Sequence, residues 1–275
     1  CGAMDKLEAF LTRFTLQATV FHRGLLCTAA EFEASEGVGY VHVLRKGQMV
    51  VDTQGQASKA VEGPALLFYM QPTTHTLRPD IREEPNLVCG AIKFGIASGN
   101  PLGQSLPSPL VVPLEGNHAL GLTLELLFEE AFTETSGQQA ALDRLCELLI
   151  IQLLRQLMDS GEDNMGLMAG LSDKRLSLAL TAMHQNPAED WTLESLAAEA
   201  GMSRSRFALR FKETVGIPAG EYLARWRVGL AQSLLKKGKP VNVVAHEVGY
   251  SGSAALARAF TAQLGMSPTA WAKSQ

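Results

Sequence analysis

Residues Trp191–Gly216 read WTLESLAAEAGMSRSRFALRFKETVG. Three arginines, Arg204, Arg206 and Arg210, crowd one short segment and alternate with Phe207 and Phe211. The 275-residue chain as a whole is acidic, with a formal net charge of -4. The positive charge is therefore a local property and needs a local reason. Leu193 to Glu199 has the apolar spacing of a short helix, and Gly201 follows where a positive φ suits a tight turn. Ser203 stands where a serine caps a second helix, and the small Ala197 and Ala198 let the two helices cross closely. Phe207 and Phe211 lie on one face of that second helix and are its buried anchors. The face opposed to them carries Ser205, Ala208, Leu209 and Lys212, with Arg204, Arg206 and Arg210 alongside. This is a helix-turn-helix whose second helix is free to enter a DNA major groove.

The pattern recurs. Residues 242–260, NVVAHEVGYSGSAALARAF, again give a short helix, a glycine (Gly249), a serine cap (Ser251) and a helix ending in Arg-x-Phe. Ala245 is the small crossing residue, Leu256 and Phe260 are the anchors, and Ser253, Ala254, Ala257 and Arg258 form the free face. A long amphipathic helix, PAGEYLARWRVGLAQSLLKKG (218–238), joins the copies. One serine-capped helix with arginines is commonly a solvated surface helix. Two copies at one spacing form a paired reader, a duplication internal to the chain. The predicted helices of this block span about 172–186, 192–199, 203–214, 218–236, 241–247, 251–263 and 267–273.

These features resemble the DNA-binding domain of AraC/XylS-family transcription regulators. The resemblance runs through residues 172–275, on the stretches quoted above and on LGMSPTAWAK at 264–273. It implies seven helices, with two recognition helices placed in successive major-groove segments on one side of the duplex. Related regulators often carry arginine at the position of Leu209. The second recognition helix is poor in polar residues. The first copy is therefore expected to give most of the direct base readout, the second phosphate and van der Waals contact.

Ahead of this block the texture differs. Basic residues outnumber acidic ones from Leu171 onward, and acidic ones outnumber basic ones before it. Residues 5–18 have helical spacing at Leu7, Phe10, Leu11 and Phe14. From 19 to 97 come short β-prone runs separated by turn formers, which argues for an antiparallel barrel or sandwich. Pro101, Pro107, Pro109 and Pro113 mark an extended connector. Residues 119–158 form a helical block, and Leu142, Leu145, Leu149, Leu153 and Leu157 make a stripe that either packs on the barrel or serves as a dimer seam. The expected class is α+β in two domains. A cupin-like β-barrel with flanking helices spans 5–160 as sensor and helical dimerisation region. A linker spans 161–171, and an all-α double helix-turn-helix domain spans 172–275.

The cupin likeness rests on YVHVLRKGQMVV and EGPALLFYMQPTTHTL, where Gly63, Pro72 and His75 match the second cupin motif and His42 falls at the first. A cupin enzyme needs a second histidine beside His42 and a nearby glutamate. Val43 and Leu44 stand there instead, so no catalytic metal is expected. A cupin-type metalloenzyme with an appended DNA-binding domain is the competing class, and an architectural DNA binder without effector is a third. His22, Cys27, His42, His75 and Cys89 form a second constellation, suited to a zinc or copper ion or to oxidant sensing through a low-pKa thiol. The bland alternative is core cysteine and hydrogen-bonded histidine with no metal at all. Cys89, in LVCGAIKFG, is similar to cysteines in regulators of this sensor type that answer to reactive chlorine or metals. A small organic effector in the barrel mouth, among Phe21, Tyr40, Phe68 and Met70, is the other sensing option.

The four cysteines lack CxxC spacing and predict a reducing, cytoplasmic setting, and no apolar run reaches the length of a membrane span. Cys-Gly-Ala ahead of Met4 reads as a vector remnant. The expected partners are double-stranded promoter DNA, a second copy of the chain as homodimer, RNA polymerase if the protein activates, and an effector of unassigned identity.

Overall fold

The computed structural model describes residues 6–80, 82–94, 106–160 and 166–274. The chain divides into two compact units, one built on Leu16–Phe94 with Pro107–Leu157, the other on the stretch up to Thr15 with everything from Met158 onward. The linker expected at 161–171 is in part helix, since Gly166–Ser172 is α4 with Leu167, Met168 and Leu171 buried. Residues 161–165 lie outside the described residues. The N-terminal helix is also shorter than its apolar spacing suggests: α1 is Glu8–Arg13, and Leu16 already begins a strand. β-branched Thr19 and Val20 and a free sheet edge win residues 16–18 for the strand.

The first unit is a β structure under two helices. Its strands are β1 (Leu16–Leu25), β2 (Ala30–Phe32), β3 (Val38–Lys46), β4 (Gln48–Thr53), β5 (Lys59–Glu62), β6 (Ala65–Tyr69), β7 (His75–Pro79), β8 (Asn86–Phe94) and β9 (Leu110–Pro113). They form two antiparallel sheets, ordered β1-β8-β3-β6-β9 and β2-β7-β4-β5. Strict alternation sets the inner face: on β4, Met49, Val51 and Thr53 are buried while their neighbours are partly open. The core between the sheets holds Leu44, Met49, Val51, Leu67, Tyr69, Leu77 and Leu87. β6 reads ALLFY and is buried on both faces. A continuous apolar run of that kind belongs to a central strand.

Helices α2 (His118–Phe132) and α3 (Gln138–Ser160) complete the unit. Asn117 caps α2 by accepting from the Leu120 N–H at 3.3 Å. α3 closes the open edge of β1. Asp143 Oδ1 accepts from the Val20 N–H at 2.8 Å, Glu147 Oε1 from the Ala18 N–H at 3.2 Å, and Gln139 donates to the Val20 carbonyl at 2.7 Å. Side chains thus take the place of a further strand and satisfy edge groups that would otherwise invite pairing. Within the stripe of α3, Leu142, Leu149 and Leu153 are fully buried, which favours packing inside the chain for these three, while Leu145 and Leu157 are only partly buried. The exposed leucines of the pair are Leu122, Leu126 and Leu148.

The second unit is helical: α5 (Leu176–Gln185), α6 (Leu193–Glu199), α7 (Arg204–Val215), α8 (Ala219–Lys236), α9 (Val241–Glu247), α10 (Ser253–Leu264) and α11 (Pro268–Ser274), with α1 and α4 packed on them. Its centre is aromatic. Trp226 stacks on His184 at 4.0 Å between ring centroids and meets Phe14 edge-on at 4.9 Å. His184 Nε2 lies 2.6 Å from the Tyr222 hydroxyl, and Phe211 closes on Tyr222 at 5.8 Å.

Candidate nucleic-acid interface and effector site

Two helix pairs, α6–α7 and α9–α10, carry the exposed faces in question. Thr192 and Ser195 form a capping box at the head of α6, a device the sequence reading missed although the T-x-x-S spacing is visible. The chain turns at Gly201 with φ +59° and at Gly249 with φ +86°. Gly249 is doubly constrained, since a Cβ there would meet the Pro187 carbonyl oxygen at 2.7 Å and the Arg227 guanidinium at 2.9 Å. Ser203 occupies the cap position of α7 in extended conformation but makes no side-chain cap bond. At the second copy the cap position is Gly252, not Ser251, and α10 begins at Ser253. The placement of the cap at Ser203 thus holds without its side-chain bond, and the expectation for Ser251 is corrected. Serine propensity marks where a helix starts and does not guarantee the bond.

The anchors lie as expected. Phe207, Phe211, Leu256 and Phe260 are fully buried, as are Ala245 and nearly so Ala197, whereas Ala198 is exposed and takes no part in the helix crossing. With these inward, α7 presents Arg204, Ser205, Arg206, Leu209, Arg210 and Lys212 to solvent and keeps Ala208 half-buried. α10 presents Ser253, Ala254 and Arg258, with Ala257 half-buried and Ser251 exposed just before it.

The arginines are not equivalent. Arg210 grips Asp173, with Nε at 2.9 Å from Oδ2. The other oxygen of Asp173 accepts from the backbone N–H groups of Arg175 and Leu176 at the head of α5. Burial works to raise that carboxyl, but the Leu176 N–H, Arg210 and the Arg175 N–H outweigh it and hold it below its ordinary range. Arg210 is thus a structural tie that sequence alone did not distinguish from its neighbours. Arg204 pairs with Glu194 on α6 at 2.8 Å, an exposed bridge that orients more than it stabilises. Among the described residues Arg206, Lys212 and Arg258 carry no ion pair. Between the copies, Arg227 on α8 donates to the Pro187 and Glu189 carbonyls at 2.8 Å each and lies over the Tyr250 ring at 5.7 Å. That staple ties the turn before α6 to the turn after α9.

In the β unit, four of the five singled-out sensor residues share the inner face. His22, Cys89 and His42 stand opposite one another across β1, β8 and β3, and His75 comes from β7 in the other sheet. His42 Nε2 and His75 Nε2 are 2.8 Å apart, both rings buried. His75 Nδ1 lies 2.9 Å from the Thr73 carbonyl, which can only accept, so this nitrogen carries the proton. A neutral His75 then offers a lone pair at Nε2, and His42 Nε2–H donates to it. His42 Nδ1 is left as a bare lone pair, buried without a partner, and His22 Nε2 is likewise buried without a partner. Burial, then the neighbouring His75 and His22, push His42 well below the ordinary histidine range, and burial lowers His75 too. Aromatic rings wall the pair: Tyr69 stacks on His75 at 3.8 Å, and Phe32 at 4.9 Å. Tyr40 lies 5.4 Å from His75, and exposed Phe21 reaches Phe32 and Tyr40 at the rim.

Two expectations for this unit are corrected. Cys27 is in the exposed loop after β1, and among the described residues no three His, Cys, Asp or Glu side chains gather closely enough to hold a metal. Cys89 is buried, and burial raises its thiol, the opposite of a reactive thiolate. Phe68 faces away from the box, because it alternates with Leu67 and Tyr69 on β6, and Met70 lies beyond the end of that strand. Phe32 and Tyr69 were missed; the continuous apolar run of β6 has no alternation that sets Tyr69 apart from Phe68, and a three-residue strand held no signal for Phe32.

A cupin family model matches residues 5–159, and a helix-turn-helix domain model matches residues 196–274. An AraC-like transcription regulator of Streptomyces antibioticus is 30% identical over 298 residues, covering 96% of this chain and 97% of its own. The RCS-specific activator RclR of Escherichia coli strain K12 is 26% identical over 281 residues, covering 96% of each chain. Among solved structures, the DNA-binding domain of AdpA in complex with a target DNA is 33% identical, covering 37% of this chain and 93% of that one, with a TM-score of 0.36. With both segments matched and its length shared with such relatives, the chain belongs to the AraC-like transcription regulators, and its helical unit is their helix-turn-helix DNA-binding domain.

Proposed function

We propose that the protein binds a specific promoter sequence through α7 and α10 and changes that binding when its β unit takes up an effector. The observation that carries the reading is the pair of helix–glycine–helix units, each with its second helix pinned by buried apolar anchors and its opposite face outward, strongly basic on α7 and bearing Arg258 on α10. Lys212 and Arg206 on α7 and Arg258 on α10 are the free cations for phosphate neutralisation. The effector is taken at the His42–His75 box, where the bare Nδ1 of His42 asks for a hydrogen-bond donor and His22 Nε2 is a second unpartnered nitrogen. Two imidazoles fall short of the four-ligand set of a structural zinc, so the box suits a small polar effector over a resident metal. The name of the RCS-specific relative puts oxidant among the effectors to test, and exposed Cys27 is the thiol in reach of it. The chain acts as a regulator and not as an enzyme, works in the cytoplasm as a homodimer on repeated sites, and meets RNA polymerase if it activates.

Footprinting on the DNA upstream of its own gene, with and without oxidant, copper, zinc and candidate metabolites, tests this. A protected region that changes with one effector is expected, with the response lost in His75→Ala or Cys27→Ser. Protection that ignores every effector removes the sensing role, and no protection removes the DNA-binding one. Sedimentation velocity of the full chain tests the homodimer; a monomer at micromolar concentration overturns it.

A further inference from the structure

We infer that Leu209 reads a thymine C5-methyl group in the major groove and is the specificity-determining residue of the first recognition helix. The inference rests on the DNA-binding reading above. At about 100° per residue, Leu209 is opposite the mean direction of Phe207 and Phe211, the buried edge of α7. It therefore marks the centre of the outward face, and it is 61% exposed. A lone exposed leucine needs no explanation. This one stands where a base reader would be, and the polar groups around it are arranged to the sides. Ser205 and Lys212 flank it on one side and Arg206 on the other. Arg210 is occupied by Asp173 and Arg204 by Glu194. The free cations thus sit where phosphates pass, and Leu209 itself, with Ser205 and Glu213 one turn to either side, brings no donor or acceptor to the centre of the face.

A leucine there cannot satisfy guanine O6 and N7 or the adenine N6–N7 pair, and it would leave those groups desolvated and unpaired. The one apolar feature on the major-groove edge of any base pair is the thymine methyl. The position facing Leu209 is therefore a thymine, and the site belongs to the methyl-bearing class of duplex, not to a guanine-contacted one. An arginine at 209 would invert that preference.

The test begins with selection of sites from a randomised duplex library by the full chain. Each thymine of the selected site is then replaced singly by deoxyuridine, which removes only the methyl group. Affinity is read by fluorescence anisotropy. In the wild type, one replacement is expected to weaken binding roughly four-fold, the equivalent of one methyl taken from water. In Leu209→Ala the same replacement is expected to cost nothing, and Leu209→Arg is expected to select guanine at or beside that position. Because Leu209 is exposed, both variants keep the wild-type melting curve. No enriched sequence at all defeats the DNA-binding reading. An enriched site with a flat deoxyuridine scan, or an equal loss in Leu209→Ala, defeats the assignment of Leu209 alone.

Discussion

On α7, Phe211 and Leu209 stand two positions apart and have opposite duties. Phe211→Ala empties a buried site beside Phe207 and Tyr222 and is expected to cost about 3–5 kcal/mol of the helical unit's stability. All three tryptophans, Trp191, Trp226 and Trp271, belong to that unit, so urea melts followed by tryptophan emission check it directly. His42 makes a prediction of a different kind. Its folded pKa lies well below the unfolded value of about 6.5, so below that pH the unfolded chain binds a proton that the fold refuses. The β unit should therefore lose stability as pH falls below about 6.5, and His42→Gln should flatten that slope. The change should appear in far-ultraviolet circular dichroism of the β unit and leave the tryptophan transition in place. An unchanged slope would rule out His42 as its source. The residues that sequence placed correctly, the four apolar anchors above all, are those fixed by helical periodicity. The tie of Arg210 to Asp173 was not legible, because Asp173 lies far back in the chain and long-range pairing leaves no periodic trace.

The two turns give a matched comparison among the elements. Gly201 and Gly249 both hold positive φ, so alanine strains either by roughly 1 kcal/mol. At Gly201 a Cβ meets open space, whereas at Gly249 it meets backbone at 2.7 Å. Gly249→Ala is therefore expected to lower the melting temperature clearly further than Gly201→Ala; equal shifts would show that the Arg227 staple yields easily. On α3, Leu149→Glu places a charge in a site with no exposure and is expected to unfold the β unit, not to separate a folded dimer. The long helices were legible because each repeats its pattern for several turns. β2, β5 and β9, of three or four residues each, were not, because so few residues hold no alternation to read. The run from 39 to 53 also hid a turn at Gly47, which divides it into β3 and β4.

The net charge of the whole molecule conceals its division of labour. Affinity for DNA should fall steeply with salt despite the acidic total, because the cations on α7 and α10 face outward as a local set. Arg206→Ala should lower the slope of log affinity against log salt by about one if it meets a phosphate. Removing the more polar copy's arginine should also cost more, and more unevenly across sequences, than Arg258→Ala. A larger and sequence-dependent loss from Arg258→Ala would reverse the roles of the two copies. The difference between those copies has one more result. A duplicated reader with two equal halves related by a two-fold axis could be laid on its site either way round. Here one half offers leucine, serine and charge, and the other offers mostly alanine. A single chain therefore has a left and a right. Its binding site needs no palindrome, and inverting that site beside a promoter would turn the whole regulator to face the other way.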